Sequence, residues 1–315
     1  MKATELRHRE PGDDRRPDRS DRAQGDRLHP AALSAAELAH RKRIRTILSI
    51  LRFTLIFIFL LIFLFPVYWI AVGAFKVEGE FYHYPPVFWP SHFSFENFGR
   101  GMTIFGGTQA LTASLVVAVT NTVLVISFGV LLAYSMGRFK VGGEDMSFFV
   151  LSLLFAPPVI ATMPLFIIFK TLKMLDTYPV LFLSYILINM PFAVWVMKGF
   201  FEDIPHSIEN AALLDGYSRF HAFRKYILPL AVPGIAVTAL FVFLFSWNEF
   251  LFALIFTRSR AQTLPITLAG MTGGHQIPWG EISALSLIAI TPGVLLTLFF
   301  QKYLVRGLTF GAVKG

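Results

Sequence analysis

Cysteine is absent from all 315 residues, so neither a disulfide nor a thiolate metal site can form. There is no Gly-Lys dipeptide, and hence no Gly-x-x-x-x-Gly-Lys-Ser/Thr loop to cradle nucleotide phosphates. No His-Glu-x-x-His sequence offers zinc chemistry. The chain is therefore not expected to hydrolyse ATP, hold a metal or act as an enzyme by itself. Charge is also scarce, at 15% of residues against 55% hydrophobic. That is not the balance of a soluble domain. A net charge of +8 would suit nucleic acid. In a membrane protein the same excess sets orientation, and no nucleic-acid partner is expected.

What is there is a series of apolar runs almost free of charge. Six stand out: Phe53–Phe75, a stretch within Gly101–Gly137, Met146–Phe169, Thr177–Met197, Leu228–Phe256 and Ile282–Gln301. Each supplies the ~20 residues that cross ~30 Å of hydrocarbon. A seventh stretch, Ala261–Gly280, carries four glycines and two prolines and is expected to be loop. Residues 1–45 are rich in Arg, Asp and Pro and are expected to be a disordered tail before a membrane domain over 46–315. A short helix capped at Ser34, with Glu37 three residues on, is expected near the end of that tail.

Of the 28 Lys and Arg residues, 22 fall on one side when the N-terminus is placed inside. Both termini and the loop around Gly216 are thus expected in the cytoplasm, and the chain in the bacterial inner membrane with lipid around it. Prolines recur inside the spans, at Pro157, Pro158, Pro164, Pro191, Pro233 and Pro292. Kinked helices suit a gated path, although prolines are common in membrane helices generally. Glu249, in Ser246-Trp247-Asn248-Glu249, is the one carboxylate that interrupts a span. It faces a cavity or partner, or it anchors the outer interface. A secondary transporter using Glu249 for a proton or sodium ion is the alternative reading. Asn121 and Asn189 are expected to bond across helices.

The most informative stretch is Ile204 to Ser218, polar between apolar segments. Pro205 suits a first helical turn, Gly216 a turn, and a second short helix is expected to end at Leu228-Pro229. The helix-turn-helix resembles the coupling loop of membrane subunits of ABC importers, whose pattern is Glu-Ala-Ala-x-x-x-Gly. Ala211, Ala212, Asp215 and Gly216 match it, as do Pro229 and Pro233 downstream. Two positions depart: Asn210 stands where the family has Glu, with Glu209 one place earlier, and Tyr217 stands where it has a small residue. The tetrapeptide Ser246–Glu249, the outer loop with Thr272, Gly273, Gly274, His275 and Gln276, and the tail Gly307–Gly315 resemble the carbohydrate-uptake type, in particular the second membrane subunit of the maltose transporter.

The resemblance covers about residues 50–315 and implies an all-α fold of six transmembrane helices, that of a type I ABC importer permease. It also implies partners: a second, similar permease subunit, two ATPase subunits that hold ATP and Mg, and an extracytoplasmic sugar-binding protein. Glu209, Asn210, Ala211, Ala212, Asp215, Gly216 and Tyr217 would meet an ATPase. Ser246 to Glu249 would lie on the translocation path or outer gate, Thr272 to Gln276 would enter the binding protein's cleft, and the tail would reach between the ATPases. The small residues Ala211, Ala212 and Gly216 would allow close approach of the ATPase surface. Which sugar is carried is not written in these motifs.

Because native cysteine is absent, single cysteines report topology cleanly. In intact cells, an impermeant maleimide is expected to label a cysteine placed at Gly274. Cysteines at Gly216 or Gly315 are expected to react only after permeabilisation, and labelling of Gly216 from outside would reverse the assignment.

Overall fold

The structure, a computed structural model, describes residues 35–274 and 276–309, with side chains for 42–274 and 276–303. Twelve helices follow in order: α1 Ala35–Gly73, α2 Glu96–Thr103, α3 Gly107–Phe139, α4 Gly143–Phe155, α5 Val159–Thr171, α6 Tyr178–Asp203, α7 His206–Leu214, α8 Arg219–Ala222, α9 Leu228–Trp247, α10 Leu251–Phe256, α11 Leu264–Gly270 and α12 Trp279–Thr309. No strand occurs among the described residues.

The chain divides into two units between Leu64 and Phe65. The described part of the first is the N-terminal portion of α1, helical from Ala35. The cap expected at Ser34 and the rest of the tail lie outside the described residues. From Phe53 to Leu64 this portion carries no charge, and its large apolar side chains are exposed.

In the second unit α3 is the central helix, packed against both α6 and α9. Small residues make this possible: Ala113, Ala118 and Ala133 of α3 and Ala193 of α6 are fully buried. A Cβ on Gly129 would stand 3.3 Å from that of Ala193. Close backbone approach is what drives helices together in lipid, where burial of apolar surface gives no advantage. Across this contact runs a buried polar bridge. Asn121 Nδ2 of α3 donates to Ser246 Oγ of α9 at 2.7 Å, and Asn189 Nδ2 of α6 donates to the same oxygen at 3.0 Å. Ser246 in turn donates to Val242 O. Both asparagines thus act as the expected cross-helix glue, each bond contributing about 0.6–2 kcal/mol.

Among the described residues five helices are each long and apolar enough to cross a membrane: Lys42–Gly73, Gly107–Phe139, Tyr178–Asp203, Arg219–Trp247 and Trp279–Tyr303. The span expected over Met146–Phe169 is formed by a pair, α4 and α5, that is apolar enough together but bent by 92°, and with the pair counted as one span there are six. Pro157-Pro158 explains the break: two consecutive N–H groups are missing, and Ala156 is driven to ψ 122°, outside the helical region. Pro66, Pro164, Pro191, Pro233 and Pro292 all lie inside continuous helices.

Two more expectations change. The fifth span ends at Trp247, and α10 begins separately at Leu251. Within the stretch expected to be loop, Leu264–Gly270 is a helix followed by a 3-10 turn over Met271–Gly273. Pro265 is the reason: counted as a breaker, it sits in the first turn, where a missing N–H costs nothing. Leu264 is fully buried, and its N–H donates to Ser114 Oγ of α3 at 2.8 Å.

A carboxylate ties two connections together. Asp176, at φ +60° between α5 and α6, accepts the N–H groups of Arg258, Ser259, Arg260 and Ala261 at 3.0–3.2 Å on Oδ1. Burial would raise its pKa from 3.8, but these backbone donors outweigh it and hold the group at about 2. With the folded pKa depressed, the stability it contributes is present above pH 3.8 and is lost as pH falls toward 2. Hydrogen exchange at residues 258–261, corrected for intrinsic rate, is expected to stay constant from neutral pH down to about 4 and accelerate below it. Asp176→Asn is expected to raise it at least tenfold at pH 7.

Candidate functional site

The loop between α6 and α9 is a hairpin. Ile204 and Pro205 leave the helical region at ψ 125° and 131°, and α7 begins at His206. Pro205 is thus the cap of α7 rather than part of its first turn. Gly216 turns the chain at φ +85°. A Cβ there would meet nothing within 4 Å, so the glycine is required by the backbone conformation, not by crowding. Ser218 caps α8, its Oγ accepting from the His221 N–H at 3.3 Å. The second helix does not end at Leu228-Pro229 as expected. It passes through a π-turn, Phe223–Ile227, and continues into α9. The wide turn bonds Leu228 N–H to Phe223 O, and Pro229 then falls at the start of α9, where no donor is needed.

The candidate residues of this hairpin divide between two faces. Asn210, Ala211, Asp215 and Gly216 are exposed. Glu209 and Ala212 are buried against the protein's own helices. Glu209 therefore offers no free carboxylate at the surface: Tyr134 Oη of α3 donates to its Oε1 at 2.7 Å, and Arg138 Nε lies 3.6 Å from its Oε2. Tyr217 packs on its own hairpin, stacked on His221 at 5.0 Å and edge-on to Tyr226 at 5.8 Å. Lys225 Nζ donates to its hydroxyl at 3.1 Å, and this bond lowers the pKa of Tyr217 and raises that of Lys225. The motif did not single out Leu214, 89% exposed, or Phe220, 69% exposed. Two large apolar side chains standing free on a short polar hairpin are a docking signature.

At the other candidate site the side chains meet different fates. Ser246 is buried in the bridge described above, where it ties three helices together. Trp247 is also buried, stacked on Phe243, with Nε1 donating to Ala289 O of α12 at 3.0 Å. Asn248 is exposed and bonds back to Leu244 O. Glu249 accepts the N–H of Phe252 on Oε1 at 2.8 Å and that of Ala253 on Oε2 at 3.2 Å. It caps α10, and this role accounts for a carboxylate in apolar surroundings without an ion. Among the described residues no group of three or more His, Cys, Asp or Glu could hold a metal.

Thr272, Gly273, Gly274 and Gln276 are exposed, and His275 lies outside the described residues. Beneath them opens a cavity of about 520 Å³ whose lining includes Tyr82, Arg100, Gln262 and Trp279. Arg100 is held there by Glu281 at 2.9 Å. Residues Gly307–Thr309 continue α12, and the rest of the tail lies outside the described residues.

Residues 125–310 match the family described as binding-protein-dependent transport system inner membrane component. The trehalose/maltose transport system permease protein of Thermococcus litoralis is 36% identical over 81% of this chain and 93% of its own length. The trehalose transport system permease protein of Mycobacterium tuberculosis is 37% identical over 72% of this chain and 84% of its own. Among solved structures, a bacterial ABC transporter importing the acidic polysaccharide alginate matches with a TM-score of 0.69 at 21% identity, over 83% of this chain and 98% of that one. That likeness shows the fold, with its several apolar helices in one multi-pass membrane protein. The chain belongs to the family of inner membrane components of binding-protein-dependent transport systems, the permease subunits of ABC importers.

Proposed function

We propose that this chain is one of two permease subunits through which an ATP-driven importer carries a sugar, or a related polyol or glycoside, into the cell. Support for the cargo class comes from relatives named for trehalose, maltose and diacetylchitobiose. A second permease subunit, two ATPase subunits holding ATP and Mg, and an extracytoplasmic binding protein complete the assembly. This chain carries no catalytic site, and hydrolysis belongs to the ATPase subunits. Both termini and the α7–α8 hairpin face the cytoplasm.

The observation that carries the mechanism is the exposed face of the hairpin, with Asn210, Ala211, Leu214 and Asp215 turned outward and Leu214 almost fully free. A cleft on an ATPase receives this face. ATP draws the two ATPases together, and the hairpin passes their motion to α3, α6 and α9, opening the path outward. On the far side the exposed loop Thr272–Gln276 enters the binding protein's cleft and helps displace the sugar. The tail beyond Thr309 reaches between the ATPases.

Proteoliposomes holding the complete complex are expected to take up sugar only with ATP inside and binding protein outside. Uptake that persists without ATP and collapses with an ionophore would favour the ion-coupled alternative. Deleting residues 272–276 is expected to cut uptake at least tenfold while the complex still purifies whole.

Residue by residue, Leu214→Asp is expected to lower recovery of the ATPases with the membrane subunits at least tenfold, since burying a leucine contributes about 1.5–3 kcal/mol. Asn210→Ala loses one neutral hydrogen bond and is expected to change recovery less than threefold. Tyr217→Ala is expected to uncouple hydrolysis from uptake by loosening the turn that Tyr217 braces. Equal recovery for all three would remove the docking face.

A further inference from the structure

At the inner end of the hairpin sits a cluster that the transport reading does not use. Arg138, near the end of α3, has a side chain only 1% exposed. A buried guanidinium carries a full charge and five donors, and it normally finds carboxylates or carbonyls for all of them. Here Nε, Nη1 and Nη2 have no hydrogen-bond partner among the described residues. The nearest carboxylate is Glu209 of α7, at 3.6 Å, close enough for charge attraction and too far for a hydrogen bond. Glu209 is 7% exposed at its side chain and is bound through its other oxygen by Tyr134, one helical turn before Arg138. Arg138 is favoured at this end of α3 by the helix dipole, and Glu209 is the one carboxylate of α7.

The cluster joins two parts with different freedom. α7 hangs between Pro205 and the turn at Gly216, with one face exposed. The end of α3 is fixed: Gly137 lies so close to α6 that a Cβ would stand 3.4 Å from Lys198 O. Further along, α3 carries Asn121 in the bridge to α6 and α9. We infer that Tyr134, Arg138 and Glu209 form a latch that conveys movement of α7 to α3. The inference rests on the proposed transport function. Tyr134 holds Glu209 in line, and the Arg138–Glu209 gap is the element that moves. Pressing α7 inward shortens that gap into a hydrogen-bonded ion pair, and release restores it. A buried pair short of its bonds is poised for such a change, because each geometry differs from the other by a small displacement and a large electrostatic term. All three are positioning residues; none touches cargo or nucleotide.

The test uses the complete complex, with hydrogen exchange read at two places, residues 206–214 of α7 and 134–140 of α3, with and without a non-hydrolysable ATP analogue. In the native complex both places are expected to respond to nucleotide. In Glu209→Gln, α7 is expected to respond still, while the response of α3 falls at least fivefold. Tyr134→Phe, the gentler variant, keeps the ion pair and is expected to retain about half. The double variant Glu209→Gln/Arg138→Gln is expected to be no worse than Glu209→Gln alone, as two members of one pair should be. An unchanged α3 response in Glu209→Gln, or none in the native complex, overturns the latch. Sugar uptake by the native proteoliposomes is read separately, so a failure of the transport reading shows there and not in the exchange pattern.

Discussion

Lipid offers backbone and side-chain polar groups nothing to bond with, and the membrane part of this fold is organised by that deficit. The bridge Asn121–Ser246–Asn189 is its clearest expression. One serine oxygen gathers donors from two neighbouring helices and returns its own proton to Val242. It fixes the rotation of α3, α6 and α9 about their own axes, since any of the three turned by one residue would strand an amide in hydrocarbon. Small residues let the helices close, and the polar bridge selects the closure in which both amide nitrogens reach the serine oxygen, with Asn121 Oδ1 left without a partner among the described residues.

The same rule explains the breaks. Where Pro157-Pro158 removes two donors, the helix stops and turns. Where α9 stops at Trp247, Glu249 supplies acceptors for the first N–H groups of α10. Where the hairpin joins α9, a π-turn shifts the ladder so that Pro229 lands where no donor is called for. Each irregularity is a local solution to hydrogen-bond supply.

This separates what the sequence could tell from what it could not. The apolar runs, the cross-helix asparagines and the hairpin around Gly216 were legible, because hydropathy, polarity and a required positive φ are written in single residues or short spacings. The roles of Glu249, Ser246 and Arg138 were not. Glu249 read as a possible ion site because its partners, the Phe252 and Ala253 N–H groups, exist only once the helix breaks. Arg138 gave no signal beyond its charge, because its partner Glu209 lies far along the chain. Asp176 gave no signal, its four donors lying on a loop more than 80 residues away. Leu214 was not legible for a different reason: a leucine between small and acidic residues reads as an inward position, and its exposure emerges only once α7 is placed.

The π-turn at Phe223–Ile227 has a consequence for how this hairpin can vary. It holds one residue more than an α-helical turn yet closes about the same angle, so the extra residue leaves the phase between the hairpin and α9 nearly unshifted. Removing one residue there would restore an ordinary helix and leave the length of α9 almost unchanged. It would leave α8, and the turn at Gly216 before it, at nearly the same angle around the axis, because five residues of π-turn and four of α-helix each complete about one turn. A one-residue change of length is therefore tolerated at this turn, whereas inside the regular turns of α9 it would rotate everything on one side of it by about 100°.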